Sequence, residues 1–528
     1  MTAPSLASPS PLAPLARAAA WCAGLSGWRR LLTAFLFGAL AAAALPPVYL
    51  VPLLWPAFTG LLWLLNGVRG SAAAFALGWA FGAGFYFAGL YWVGIAFTVD
   101  APRFGALAPV AVLALSAGLA LFTALVTLVV HRVAWRGPAR VLILAGAWLG
   151  AEWLRSWVLT GFPWNLIGTV WAFSAETIQL AALTGVWGLS WITLAAAAAP
   201  AVATEPGGRW RRWAPAGLGV LVLAAVFALS AGRLAVAPSP GERSVDGVML
   251  RLVQPSIEQS DKWRRELRQQ HVIDQMRLSV EPGFDAVTHV VWAETAVPYI
   301  LNRDETLRRA LGQVVPEGGL LLTGAPREAR AGGRSGLWNT LFALDREGAL
   351  VEAYDKVKLV PFGEYVPLRG LLGFSKLTEG RADFSSGVGR RTLALPGLPP
   401  VSPLICYEVI YPGQVTDPDR PPAWLLTVTN DAWFGRSSGP FQHFASARLR
   451  AVEEGLPLVR VANNGVSAVV DGYGRVLARL GLDQVGRIDS ALPRPLESRT
   501  PFAIAGNWWV LVLVTLSLLL GYCFRRPG

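Results

Sequence analysis

The sequence predicts a polytopic α-helical membrane domain of about eight spans joined to an α/β domain outside the bilayer. Three observations carry this. Across 528 residues, 53% are hydrophobic and only 15% charged, too apolar for an ordinary soluble protein. The apolar residues gather in stretches near the length that crosses a bilayer, roughly 20 residues with about 17 as a minimum. One long polar block, residues 241–500, holds 31 basic and 30 acidic side chains, against 15 basic and 4 acidic elsewhere.

The apolar stretches run Leu31–Leu45, Val48–Leu65, Ser71–Phe97, Leu107–Val130, Val141–Val158, Ile178–Val202, Trp213–Ala231 and Ile504–Phe524. The first is short and abuts Pro46-Pro47, so the first two read either as two spans or as one broken hairpin. Residues 29–233 then form the membrane domain with spans one to seven, and 504–524 the last span. Residues 1–28 are rich in Ala, Pro and Ser and are expected to be a disordered cytoplasmic segment. With the N-terminus inside, the cytoplasmic segments hold twelve arginines, among them Arg29, Arg30, Arg69, Arg132, Arg136 and Arg526. The opposite short segments hold only Arg103, Arg155 and Arg233. That asymmetry follows the positive-inside rule and puts residues 241–500 outside the cytoplasm. The net charge of +12 thus belongs to short loops between apolar runs, which fits membrane orientation and not nucleic-acid binding.

The outer block begins after Ala237-Pro-Ser-Pro-Gly241 and reads as α/β. Short apolar runs suit strands at Val248–Val253, His289–Trp292, Leu320–Thr323, Thr340–Leu344, Val401–Ile405, Trp424–Val428 and Leu458–Val461. Helical stretches such as Lys262–Val280 and His443–Glu454 lie between them. Cys406 is the one cysteine of this block, the others being Cys22 and Cys523, so no internal disulfide is possible there. The four histidines, His131, His271, His289 and His443, have no metal-ligand spacing, and we expect neither a metal site nor a cofactor.

Three residues at the ends of apolar runs carry the chemistry. Cys406 ends Val401–Ile405 and opens Cys-Tyr-Glu408. A lone cysteine is commonly a buried structural residue, but a free thiol outside the cytoplasm risks oxidation, which favours a use. Glu294 follows Val-Val-Trp-Ala and is placed to deprotonate a thiol. Lys356, in Tyr354-Asp-Lys-Val-Lys358, is a cation suited to an oxyanion. Each alone is a weak signal; a loop carboxylate or an exposed lysine is the ordinary case.

As an ordered set they resemble the Glu-Lys-Cys triad of the nitrilase superfamily. The longer strings, Val-Pro-Phe-Gly-Glu364-Tyr-Val-Pro, Ile-Cys406-Tyr-Glu, Thr-Asn-Asp431-Ala-Trp-Phe-Gly and Gly-Pro-Phe-Gln-His443, resemble the apolipoprotein N-acyltransferase family. The resemblance implies an αββα nitrilase-like sandwich and a ping-pong acyl transfer. The donor would be a phospholipid, usually phosphatidylethanolamine. The acceptor would be the α-amino group of a diacylglyceryl-cysteine apolipoprotein. It implies Cys406 as nucleophile, Glu294 as base, and Lys356 with a Tyr407 backbone N–H around the oxyanion. Glu364 would position Lys356, Tyr407 and Glu408 would shape the pocket, and Trp263 would lie near the substrate opening. We expect a monomer in a bacterial inner membrane, with the catalytic domain in the periplasm.

Glu152 and Arg155, one helical turn apart, suggest an ion pair of either structural or headgroup-binding use. Two other readings compete. A membrane-tethered amidase for a small C–N substrate shares the triad but needs no multi-span body. A transporter with an outer binding domain calls for ionisable residues, of which the spans hold few, and for a matching pair of broken helices, of which they show no clear case.

Overall fold

The computed structural model describes residues 13–331, 334–366 and 383–525. Each apolar stretch becomes a helix: α2 (Gly27–Ala42), α3 (Leu54–Asn66), α4 (Ser71–Leu90), α6 (Ala108–Val133), α7 (Pro138–Arg155), α8 (Ala181–Ala198), α9 (Arg209–Ala235) and α13 (Trp508–Phe524). A short α5 (Ala101–Phe104) links α4 to α6. With their 3-10 extensions, Ser71–Thr98, Ala101–Val133, Ala181–Thr204 and Arg209–Ala235 are long and apolar enough to cross a membrane. The chain is a membrane protein. The helices pack through small residues. A Cβ on Gly38 of α2 would fall 1.8 Å from the Phe81 carbonyl oxygen, and one on Gly84 of α4 1.9 Å from that of Phe35. Backbones approach this closely only where no side chain intervenes.

The N-terminal segment departs from its expected disorder. Residues 13–24 form α1 (Ala13–Gly24), which packs on α3. Leu15, Ala19 and Cys22 recur at i, i+4 and i+7 and join the membrane core, with Cys22 only 2% exposed. The Ala-rich composition masked this narrow apolar stripe. Residues 1–12 and Arg526 lie outside the described residues.

Residues 244–493 form two stacked sheets. The first has the order β11-β1-β2-β3-β4-β5, built from β1 (Ser244–Gln254), β2 (His289–Trp292), β3 (Leu320–Ala331), β4 (Arg334–Leu344), β5 (Leu350–Asp355) and β11 (Gly486–Pro493). The second has the order β10-β9-β8-β7-β6, from β6 (Val401–Ile405), β7 (Trp424–Thr429), β8 (Leu458–Ala462), β9 (Ser467–Val470) and β10 (Val476–Leu480). In both, three parallel strands lead into antiparallel ones. Side chains alternate across each strand. Leu250 and Leu252 of β1 meet Leu426 and Val428 of β7 between the sheets. Val253, Val290 and Trp292 turn outward onto α10 (Arg268–Ser279) and α11 (Glu305–Leu311).

The outer face of the second sheet is covered by α12 (Gly439–Glu454), and α12 in turn lies on the membrane helices. One layered molecule results. Sheet, α12 and membrane domain share a single apolar core that includes Leu404, Leu425, Leu449, Trp164 and Trp187. A helix-polar junction closes it: α8 breaks at Gly185 (φ +69°), and the freed Val186 N–H donates to Glu453 of α12 at 2.8 Å.

Candidate active site

The strand ends expected to carry chemistry converge between the two sheets. Cys406 follows β6 with φ +53°, a left-handed conformation uncommon for a residue other than glycine, and forms a tight elbow. The elbow passes directly into a 3-10 turn, Cys406–Ile410. Glu294 lies just past β2, and Lys356 just past β5. Cys406, Glu294 and Lys356 are 8%, 6% and 1% exposed, so their charges interact across a medium that screens poorly.

Hydrogen bonds join Glu294 and Lys356 into one cluster, and Cys406 lies close enough for both charges to act on its thiol. Lys356 Nζ donates to Glu294 Oε1 at 3.2 Å and to Glu364 Oε1 at 3.0 Å. Asn339 Nδ2, on β4, bridges the same two oxygens at 2.8 and 3.0 Å. The Asn430 N–H reaches Glu294 Oε2 at 2.9 Å, and the Val360 N–H reaches Glu364 Oε2 at 2.8 Å. Burial alone would raise the Glu294 carboxyl, but Lys356 and Lys262 outweigh it and hold Glu294 below the usual carboxylate range. Burial likewise works against the Lys356 ammonium, and the Glu294 and Glu364 carboxylates overcome it and hold that group above its usual range. The Cys406 thiol is pushed up by burial and by Glu294, with Lys356 opposing. The resting site is therefore a neutral thiol beside an ionised carboxylate and an ammonium. That arrangement suits a thiol that gives up its proton only as it attacks.

Two further groups fix the elbow. Glu408 acts on the backbone around the site. Its Oε1 accepts from the Tyr354 hydroxyl and the Val357 and Lys358 N–H groups, and its Oε2 from the Ile405 N–H. It thus ties the Lys356 loop to the Cys406 elbow. From below, His443 Nε2 donates to the Cys406 carbonyl oxygen at 3.1 Å. Asp431 stands at His443 Nδ1 (2.9 Å) and accepts from Arg460 at 2.7 Å. Despite its burial, Asp431 is lowered to about 2 by Arg460 and His443.

Tyr407 also points away from the triad. Its hydroxyl donates to the Gly161 carbonyl oxygen at 2.8 Å, and its ring stacks beside Phe162 with centroids 6.4 Å apart. The Gly161–Trp164 loop of the membrane domain is therefore the seat of the elbow. Glu152 and Arg155 serve this loop separately and do not pair. Arg155 Nη1 donates to the Phe162 and Trp164 carbonyl oxygens at 2.6 Å, and Glu152 accepts from the Ile167 N–H at 2.7 Å.

Comparison with known proteins agrees with this layout. Residues 37–199 match the apolipoprotein N-acyltransferase N-terminal domain, and residues 250–500 match the carbon-nitrogen hydrolase domain. A relative named apolipoprotein N-acyltransferase from Rhodopseudomonas palustris is 41% identical over 520 residues, covering 95% of this chain and 96% of that one. The chain belongs to the apolipoprotein N-acyltransferase family. A family member from Bradyrhizobium diazoefficiens is 40% identical over 94% of this chain and 95% of its own. Among solved structures, a carbon-nitrogen hydrolase from Helicobacter pylori covers 46% of this chain and 89% of its own, with 14% identity and a TM-score of 0.35.

Within the family frame, the expected Glu294, Lys356, Glu364 and Cys406 come together, and Tyr407 and Glu408 flank them as supports. Trp263 is half-buried on the turn Glu258–Arg264, under the guanidinium of Arg268, 5.8 Å from its ring centre. Sequence reading missed Asn339, Lys262 and Gly324. A Cβ on Gly324 of β3 would lie 2.4 Å from the Thr295 nitrogen and 2.8 Å from Glu294 Cα, so only glycine lets the Glu294 loop settle. The glycine just beyond Leu320–Thr323 was its only sequence signal.

Proposed function

We propose that the protein transfers an acyl chain from a phospholipid, phosphatidylethanolamine foremost, to the α-amino group of the diacylglyceryl cysteine of an apolipoprotein. Glu294 takes the Cys406 proton as sulfur attacks the acyl ester. Lys356 and the Tyr407 N–H hold the oxyanion. The intermediate collapses to a Cys406 thioester, and the departing lysophospholipid alkoxide takes the proton from Glu294. The acceptor amine then attacks the thioester, gives its proton to Glu294, and the thiolate leaves to recover it. Trp263 is assigned to the acceptor side.

One observation carries this reading. The nucleophile elbow sits on the Gly161–Trp164 loop of the membrane domain, through Tyr407 and Tyr411 hydroxyls bonded to the Gly161 carbonyl oxygen. A small polar amide needs no such seat; a lipid ester presented at the bilayer surface does. The same reading assigns residues 29–233 and 504–524 to eight spans, residues 241–500 to the periplasmic side of the inner membrane, and a monomer to the working enzyme. The test is mass spectrometry of the Cys406 peptide after incubation with phosphatidylethanolamine. An acyl adduct on that peptide is expected; its absence, with amide hydrolysis in its place, overturns the assignment.

A further inference from the structure

Lys262 has no part in the triad, yet it is buried beside it. It sits on the turn Glu258–Arg264, where the Lys262 N–H donates to the Glu258 carbonyl oxygen. Its side chain turns inward and is 2% exposed. Among the described residues its Nζ makes one hydrogen bond, 3.0 Å to the main-chain oxygen of Glu294. Among the described residues no carboxylate pairs with it directly; Asp261 of the same turn faces Arg264 instead, at 3.3 Å. An ammonium held this way is a poor structural device. Desolvating it costs several kcal/mol in order-of-magnitude terms, and one neutral hydrogen bond does not offset that. A methionine would fill the same space at lower cost.

What the position does supply is charge. The triad and Glu364 set two carboxylates against one ammonium. Lys262 adds the second ammonium, close enough that Glu294 and Cys406 both act on it. It also grips a backbone that needs holding. Thr295, the next residue, has φ +45°, uncommon for a β-branched side chain. The same turn is fastened to the site a second time, since Asn430 Nδ2 donates to Gln259 at 2.7 Å while the Asn430 N–H binds Glu294.

We propose that Lys262 is a positioning residue of the acyl-transfer site: its ammonium holds the Glu294 main chain in place and supplies the second positive charge that keeps the Glu294 carboxylate ionised to take the Cys406 proton. This rests on the acyl-transfer reading above. Burial lowers Lys262 to about 8, with Glu294 and Cys406 opposing the fall. Its charge is thus present at neutral pH and lost as pH rises through about 8. The titratable groups facing the shared site are Glu294 past β2, Lys356 past β5 with its partner Glu364, the neutral Cys406 thiol past β6, and Asp431 behind it.

The experiment is single-turnover acylation of full-length enzyme in detergent by labelled phosphatidylethanolamine, read as label on Cys406 across pH. Wild type should gain rate as Glu294 ionises and lose it above pH about 8 as Lys262 discharges. Lys262→Met should be about tenfold slower at neutral pH, with its acidic limb moved to higher pH and no fall near pH 8. Lys262→Arg should keep the wild-type acidic limb. Thermal midpoints report folding, and Lys262→Met should not lower them. A Lys262→Met enzyme with the wild-type rate and profile overturns the inference. So does one slowed equally at every pH, which marks a merely structural residue. A wild-type enzyme that never labels Cys406 sinks the acyl-transfer reading itself, a result distinct from either.

Discussion

The two sheets of the catalytic domain have the same plan but different neighbours. On the first sheet, α10 is a cover with one apolar side: of its twelve residues only Val272, Gln275 and Ser279 are buried. On the second, α12 buries fourteen of sixteen, because the membrane domain packs on its far side. The first sheet delivers Glu294 and Lys356; the second delivers Cys406. The difference teaches where the reaction is anchored. In the mechanism proposed above, base and cation belong to the solvent-facing half, while the nucleophile belongs to the half fused to the membrane domain.

Removing chemistry from either half should stop the reaction, and this is the largest expected effect. Cys406→Ala should form no acyl-enzyme, whereas Cys22→Ala and Cys523→Ala should keep activity. On the other sheet, Glu294→Gln and Lys356→Met should each slow thioester formation by about 10²–10³, the usual loss for one oxyanion or proton-transfer group. The check is labelled phospholipid followed onto Cys406. If Glu294→Gln acylates at the wild-type rate, the base lies elsewhere and the division between sheets fails.

Next in size is a change that leaves every charged group in place. Gly324→Ala puts a methyl 2.4 Å from the Thr295 nitrogen, so the Glu294 loop must shift. A displacement near 1 Å costs about 10² in rate when geometry carries catalysis. The measured acylation rate should fall while donor affinity holds. An unchanged rate would show that the Glu294 loop tolerates movement.

How much of this was readable depends on whether a contact is local. Apolar period and length revealed all eight membrane-domain helices beyond α1. Strand ends were equally legible: His289–Trp292 and Val401–Ile405 coincide with β2 and β6, and so placed Glu294 and Cys406. β9 escaped, as did β5, β10 and β11, which run along partly exposed edges where the apolar alternation is diluted. The roles of Asn339, Gly324 and Lys262 depend on partners 25 to 45 residues away or on another strand, and no local pattern marks them. Adjacency to the nucleophile marked Tyr407 and Glu408 as supports, but their partners were not legible: the 3-10 turn sends one side chain to the membrane loop and the other to the Val357 and Lys358 N–H groups.

The smallest expected effects separate the two covering helices most cleanly. Gln442 of α12 accepts from Trp92 Nε1 at 3.0 Å and from Trp164 Nε1 at 2.8 Å, and donates to the Gly89 carbonyl oxygen at 3.2 Å. Gln442→Leu keeps the volume but strands two buried indole N–H groups, at about 1–3 kcal/mol each. Val272 of α10 belongs to the core behind the first sheet. Val272→Ala removes two methyl groups there and costs about 2 kcal/mol. Both variants should lower the thermal midpoint in detergent by a few degrees. They should differ in acylation. Gln442 precedes His443, which holds the Cys406 carbonyl, and Trp164 belongs to the loop that seats Tyr407. Loosening that junction should slow thioester formation several-fold, whereas Val272→Ala should leave it at the wild-type rate once folded protein is normalised. Equal slowing by both would mean that general stability, not the membrane-side seat, governs the nucleophile.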